Sequence, residues 1–249
     1  AGDRGPSDSV AVAAGVRSKC LAPVGGRPMV LRVLEALEAS AQVGAVVLIG
    51  PRAEARDSDS DLRDRVRTGA VRWLPPGTSP SAGALSALAE LPSAAPVLVT
   101  TADHALLTPA LVDDFCIRAR RAATDAVAGV ARHESVAAAF PDMPRTALRF
   151  RNGAFCGCNL FAFLTPEGKR VAEFWSRAEG TRKSPLGLAR LLGPGTVLRY
   201  LAGRLTLAEA VNRLGNRTGT ALATVELSDP EAAMDIDRPR HWLALRERA

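Results

Sequence analysis

The stretch that most constrains this chain is Pro96–His104, PVLVTTADH. Pro96 to Thr101 form an apolar and β-branched run that stops abruptly at Ala102-Asp103-His104. A run without polar alternation suits a fully buried strand of a parallel sheet, covered on both faces. Open α/β sheets place their ligands at the C-terminal ends of such strands. Asp103 is therefore the first candidate for chemistry. From this stretch alone it suits a cap of the following turn or helix equally well.

Length and composition narrow the setting. The chain has 249 residues, 47% of them hydrophobic, enough for a substantial core. No apolar run approaches the roughly 20 residues of a membrane span, and none resembles a cleavable signal. The four cysteines (Cys20, Cys116, Cys156, Cys158) lack framework spacing, so a reduced, cytoplasmic protein is expected. Cys156-Gly157-Cys158 has no second pair, which argues against zinc. The net charge is +6, and 29 of the 32 basic residues are Arg. These charges are dispersed among Asp and Glu and lack the aromatic interleaving of nucleic-acid binders. A phosphate-bearing small molecule suits the balance.

Read in order, the chain alternates strand and helix. A glycine-bearing opening, Ala1–Pro6, precedes a short helix over Ser9–Val16. Gly25-Gly26 reads as a turn. Pro28 opens a helix to Ser40 with Met29, Val30, Val33, Leu34 and Leu37 as its stripe. Ala45–Ile49 and Val71–Leu74 read as strands flanking a charged surface loop with one helix, Arg52–Arg67. Small residues Ser81, Ala82 and Gly83 start a helix reaching about Leu91. Thr108-Pro109 opens another to about Ala122, and Asp125–Ala131 is a strand. The crossovers are long enough for parallel pairing.

The second half is less regular. Asn152-Gly153 joins Thr146–Phe150 to Ala154–Phe163 as a hairpin. Helices are expected over Pro166–Ala178, Lys183–Leu192, Thr206–Leu214 and Pro239–Glu247, and strands over Val197–Leu201 and Ala221–Leu227. The expected fold is one doubly wound, mostly parallel, Rossmann-like α/β domain over residues 1–249. Its irregular α+β C-terminal part starts near residue 132.

Four pieces carry a resemblance. Ala1–Gly5 is followed by Ser18-Lys19-Cys20-Leu21-Ala22-Pro23-Val24-Gly25-Gly26-Arg27-Pro28-Met29. Then come Pro80–Leu85, Val97–Asp103 and Asp235-Ile236-Asp237-Arg238-Pro239. In this order they resemble the nucleotidyltransferases of GT-A-like fold, the group that includes MobA-like, sugar-phosphate and isoprenoid-precursor enzymes. The opening departs from the family's usual L-A-A-G-x-G-x-R-M-G, and Pro6 removes one backbone donor. Arg238-Pro239-Arg240-His241 stands where the family has T-P-E-D.

The resemblance implies transfer of a nucleoside monophosphate from an NTP to a phosphorylated small-molecule acceptor, with Mg²⁺ as cofactor and pyrophosphate released. It implies nucleotide-binding roles for Gly2, Arg4, Gly5, Lys19, Ser81, Ala82 and Gly83. Lys19 and Asp103 become the catalytic pair. Asp103 with Asp237, or with Asp235 as its substitute, would bind the metal, and Gly157 and Asn159 would face the acceptor. Residues 1–131 would form the nucleotide half and 132–249 the acceptor half. No nucleic acid or membrane partner is expected, and a homo-oligomer stays open. Two rivals remain: a catalytically silent nucleotide-binding module, and a GT-A glycosyltransferase, whose D-x-D motif Asp103-His104-Ala105 lacks. His133 and His241 read as structural, and His104 receives no role.

Overall fold

The structure is a computed structural model describing residues 5–178 and 192–247. Its strands are β1 (Pro23–Val24), β2 (Arg27–Pro28), β3 (Val47–Ile49), β4 (Arg72–Leu74), β5 (Val97–Val99), β6 (Ala126–Arg132), β7 (Leu148–Phe150), β8 (Gly153–Phe163) and β9 (Leu222–Leu227). The helices are α1 (Ser9–Ala14), α2 (Met29–Glu38), α3 (Ala53–Arg56), α4 (Ser60–Arg67), α5 (Pro80–Glu90), α6 (Pro109–Arg121), α7 (His133–Ala139), α8 (Lys169–Ala178), α9 (Pro194–Leu201), α10 (Leu207–Thr218) and α11 (Pro239–Leu245). No described helix is long and apolar enough to cross a membrane.

The main sheet has the order β5-β8-β6-β9, with β7 also paired to β8. β5, β6 and β7 each run antiparallel to β8, and β9 runs parallel to β6. Only β8 therefore opposes the common direction, and the fold is the expected mostly parallel α/β type. β3 and β4 form a separate parallel pair. β5 departs from the expected strand. It is shorter, half-buried, and hydrogen-bonded to an antiparallel neighbour, because β8, late in the chain, inserts between β5 and β6.

β8 also carries the sheet's main irregularity. On one flank its register with β6 jumps from Ala128↔Phe161 to Val130↔Gly157. Two steps along β6 thus oppose four along β8, which is a bulge around 158–160. On the other flank β7 covers Gly153–Phe155 and β5 covers Phe161–Phe163, and among the described residues no strand pairs with the stretch between them.

Helix α2 is sandwiched. Met29, Val33 and Ala36 join the core under α6 and the main sheet, while Val30, Leu31 and Leu34 pack towards β3 and α4. Each fully buried Leu or Met contributes about 1.5–3 kcal/mol, so α2 is a rigid reference for its neighbours. Its Arg32 donates Nε to the Ala105 carbonyl at 2.9 Å and Nη1 to the Val24 carbonyl at 3.3 Å. These bonds fasten both the β5 exit and the β1–β2 hairpin.

Two local readings are corrected, one helix is added, and one expected helix lies almost wholly outside the described residues. Val197–Leu201, expected as a strand, lies in α9, because Pro194 starts a helix and a five-residue apolar run cannot itself specify a strand. Arg52–Arg67 holds two helices, with Asp59 capping α4. α7 was not foreseen, since His133–Ala139 offers almost no apolar periodicity. Of the helix expected over Lys183–Leu192, only Leu192 lies among the described residues.

Candidate active site at the end of β5

Three segments far apart in sequence meet just past β5. Lys19 sits on a single 3-10 turn, Lys19–Leu21, immediately before the β1–β2 hairpin. Left-handed Gly25 and Gly26 make that hairpin's turn, a geometry other residues adopt at a cost. The C-terminal helix docks on the same hairpin. Trp242 donates Nε1 to the Pro23 carbonyl at 2.8 Å, and Gly25 donates its N–H to the Arg246 carbonyl at 2.8 Å. This clasp carries Asp237, just before α11, to Lys19.

The third segment is the β5 exit. Ile236 is fully buried, and its N–H donates to the Asp103 carbonyl at 3.2 Å. His104 is also buried, and its Nε2 lies 3.3 Å from the Glu231 carbonyl. Both contacts tie the closing segment to the end of β5. Burial holds the His104 pKa below its ordinary value, so the ring is neutral at neutral pH.

At the centre, Lys19 Nζ lies 2.5 Å from Asp103 Oδ2 and 3.0 Å from Asp237 Oδ1. Burial opposes the charge on Lys19, but Asp103 and then Asp237 outweigh it and hold its pKa above the usual lysine range. Burial likewise opposes the charge on Asp103, and Lys19 reverses the balance and holds that carboxyl below its ordinary value. Both groups are therefore ionised at neutral pH.

A second cluster adjoins this one. Arg145 forms an ion pair through Nη1 with Asp235 Oδ1, and the same nitrogen lies 3.8 Å from Asp237 Oδ2. Asn159 donates Nδ2 to Asp235 Oδ2 at 2.6 Å. Arg145 escaped the reading of the sequence. It is one of 29 arginines, and its partners lie 90 residues away, so no local pattern marks it.

The structure thus joins Lys19, Asp103, Asp237, Asp235 and Asn159. The other candidates lie elsewhere or outside the described residues. Gly2 and Arg4 are among the latter. Gly5 is buried with φ +67, in a 3-10 turn leading into α1. Ser81 is buried with Oγ 3.0 Å from Ser79 Oγ, and Ala82 donates its N–H to Ser79 Oγ at 3.2 Å. A Cβ on Gly83 would come 3.1 Å from Ile49 Cγ2, so Gly83 lets α5 pack on β3. Gly157 is exposed, with open space where a side chain would project.

The donor chemistry suits a hard divalent ion. Asp103 Oδ1 is buried without a hydrogen bond of normal geometry, and Asp237 presents a half-exposed carboxylate beside it. Mg²⁺ usually takes one or two carboxylates and completes its octahedron with water and phosphate oxygens. Among the described residues no three His, Cys, Asp or Glu side chains form a ready metal cage, so substrate oxygens would have to supply the rest.

Comparison with known proteins gives the family. A hypothetical transferase from Thermus thermophilus has 31% identity and a TM-score of 0.76, with 95% of this chain and 94% of that one covered. CMP:2-keto-3-deoxy-manno-octonic acid synthetase, in a complex with CTP, has 15% identity and a TM-score of 0.55 over 92% and 90% of the two chains. 4-Diphosphocytidyl-2C-methyl-D-erythritol synthase from Anaerococcus prevotii has 14% identity and a TM-score of 0.55 over 90% and 89%. The last two likenesses are of fold. No protein of curated function matches the sequence. Residues 14–218 match the MobA-like NTP transferase domain, and the chain belongs to that family of nucleotidyltransferases.

Proposed function

We propose that this nucleotidyltransferase moves a nucleoside monophosphate from an NTP to a phosphorylated small molecule, at the junction of Lys19, Asp103 and Asp237. The observation that carries this reading is the convergence of two carboxylates, from opposite halves of the chain, on one ammonium.

In the proposed reaction an acceptor phosphate oxygen attacks the α-phosphorus. A phosphoanhydride bond forms, the bond to the β-phosphate oxygen breaks, and pyrophosphate leaves with the electron pair. The attacking oxygen is already anionic, so no general base is required. The protein aligns the two anions and offsets their charge. Asp103 and Asp237 would hold Mg²⁺, which when bound neutralises charge on the phosphate oxygens. Lys19 would offer its ammonium to the triphosphate, a task suited to a compact charge on a flexible stem. In this reading the start of α5, where Ala82 is half-exposed, would face the base or ribose, and the exposed Gly157 would face the acceptor.

The test is to incubate the protein with each NTP, Mg²⁺ and a panel of phosphorylated acceptors, and to assay pyrophosphate. Release that needs both substrates and stops with EDTA supports the reading. Tight NTP binding without turnover across the panel would instead mark a catalytically silent nucleotide-binding module.

A further inference from the structure

Asp235 and Asp237 lie two residues apart on the segment that leads into α11, yet their surroundings differ. Ile236 between them is fully buried, and both aspartates reach the same nitrogen, Arg145 Nη1. Asp235 is ion-paired through Oδ1 to Arg145 and accepts through Oδ2 from Asn159, and its side chain is 10% exposed. The Asp237 side chain is 54% exposed, accepts from Lys19 Nζ at 3.0 Å and lies 3.8 Å from Arg145 Nη1.

Asn159 reaches Asp235 through unusual backbone. It lies in the β8 bulge with φ +49, one of two described non-glycine residues with positive φ. Asn tolerates this region better than most residues. Bulges commonly re-aim a side chain next to a functional site. Asn159 lies in the part of β8 between the residues paired with β7 and those paired with β5, and from there its Nδ2 reaches Asp235. Arg145 also lies within 3.4 Å of the Asp235 carbonyl oxygen, so it grips backbone as well as side chain.

We infer that Arg145 and Asn159 are positioning residues: they clamp Asp235 so that Asp237, two residues on, is the carboxylate presented to the metal and substrates. Asp235 is then an anchor rather than a ligand, and the Asn159 amide serves the clamp rather than the acceptor. The inference rests on the proposed role of the Lys19 junction.

Two readouts test it. The first is Mn²⁺ affinity in the presence of an NTP, followed by electron paramagnetic resonance. The second, free of metal, is hydrogen exchange at the Ile236 amide. Asn159→Gly keeps the left-handed backbone and removes the donor. Arg145→Ala removes the guanidinium, which can be added back as free guanidinium ion. Arg145→Lys replaces it if the alanine variant does not fold.

The expected result is Mn²⁺ binding weakened about 10- to 100-fold in both variants, the scale of outer partners at metal sites. NTP affinity should stay within about twofold, Ile236 exchange should quicken, and guanidinium should partly restore Arg145→Ala. Asp235→Asn should match this partial loss, while Asp237→Asn removes binding. The inference is overturned if Asp235→Asn removes Mn²⁺ as completely as Asp237→Asn. It is also overturned if the Arg145 and Asn159 variants leave affinity and exchange unchanged. Failure of the wild-type protein to bind Mn²⁺ with any NTP contradicts the site assignment itself, and the inference with it.

Discussion

Two acidic junctions lie side by side beyond β5, and their surroundings give them different chemistry. Around Lys19, two carboxylates share one flexible cation, and one of them is half open to solvent. Around Asp235, a planar guanidinium and a side-chain amide occupy both oxygens of one buried carboxylate. The first arrangement can exchange partners when a charged substrate arrives. The second holds its carboxylate between a fixed cation and a fixed amide. A carboxylate's neighbours, rather than its place in a motif, decide which it does.

The largest effect that separates the junctions is on catalysis. Asp103→Ala is expected to lower pyrophosphate release by more than about a thousandfold, since metal and charge neutralisation supply several kcal/mol and each 1.4 is about tenfold. Circular dichroism would establish that the variant is folded. Lys19→Met is expected to cost about 100- to 1000-fold in kcat, the scale of losing one preorganised charge partner at a reacting centre. Equal kcat for Lys19→Met and wild type would make this ammonium a structural counter-ion only.

The Asp235 junction should instead register in stability. Arg145→Ala leaves Asp235 buried without its cation, and urea unfolding should show a loss of about 2–3 kcal/mol. Arg132→Ala provides the contrast. Its partner is Glu226, and the two side chains are 38% and 44% exposed, so the loss should be under about 1 kcal/mol. Similar losses in the two variants would erase the distinction.

The smallest effect is in the pH dependence. The Asp103 pKa is depressed, so its stabilising contribution is present above the ordinary value of 3.8 and is lost as pH falls through the lower folded value. The Lys19 pKa is raised, so its contribution is present below the ordinary value of 10.5 and is lost as pH rises through the higher folded value. The difference in Tm between wild type and Asp103→Asn should therefore be flat between these limits and shrink on acidification below 3.8. A difference that changes near neutrality would show that another group governs it.

The two junctions were also unequally legible in the sequence. Lys19, Asp103 and Asp237 stand in short runs with a resemblance to follow, and Lys19 is conspicuous in a chain with few lysines. The Arg145 clamp leaves no local trace, because it exists only once the bulge in β8 and the closing segment meet. The fold divides in the same way. Helices α2 and α6 announce themselves by Pro or Thr at their starts and by periodic apolar residues, and α5 by Ser79-Pro80 at its start. The Asn152-Gly153 turn announces the β7–β8 hairpin. The insertion of β8 between β5 and β6 is a long-range pairing that no window of sequence contains. α9 shows the remaining limit, since five apolar residues fit either period.

The most direct test of the central claim is the dissociation constant of Mn²⁺ in the presence of an NTP, for wild type, Asp103→Asn and Asp237→Asn. If these two carboxylates jointly hold the ion against the triphosphate, each substitution weakens binding by more than the roughly 100-fold upper range of outer partners, in a folded protein. Wild-type affinity in both variants would contradict the claim.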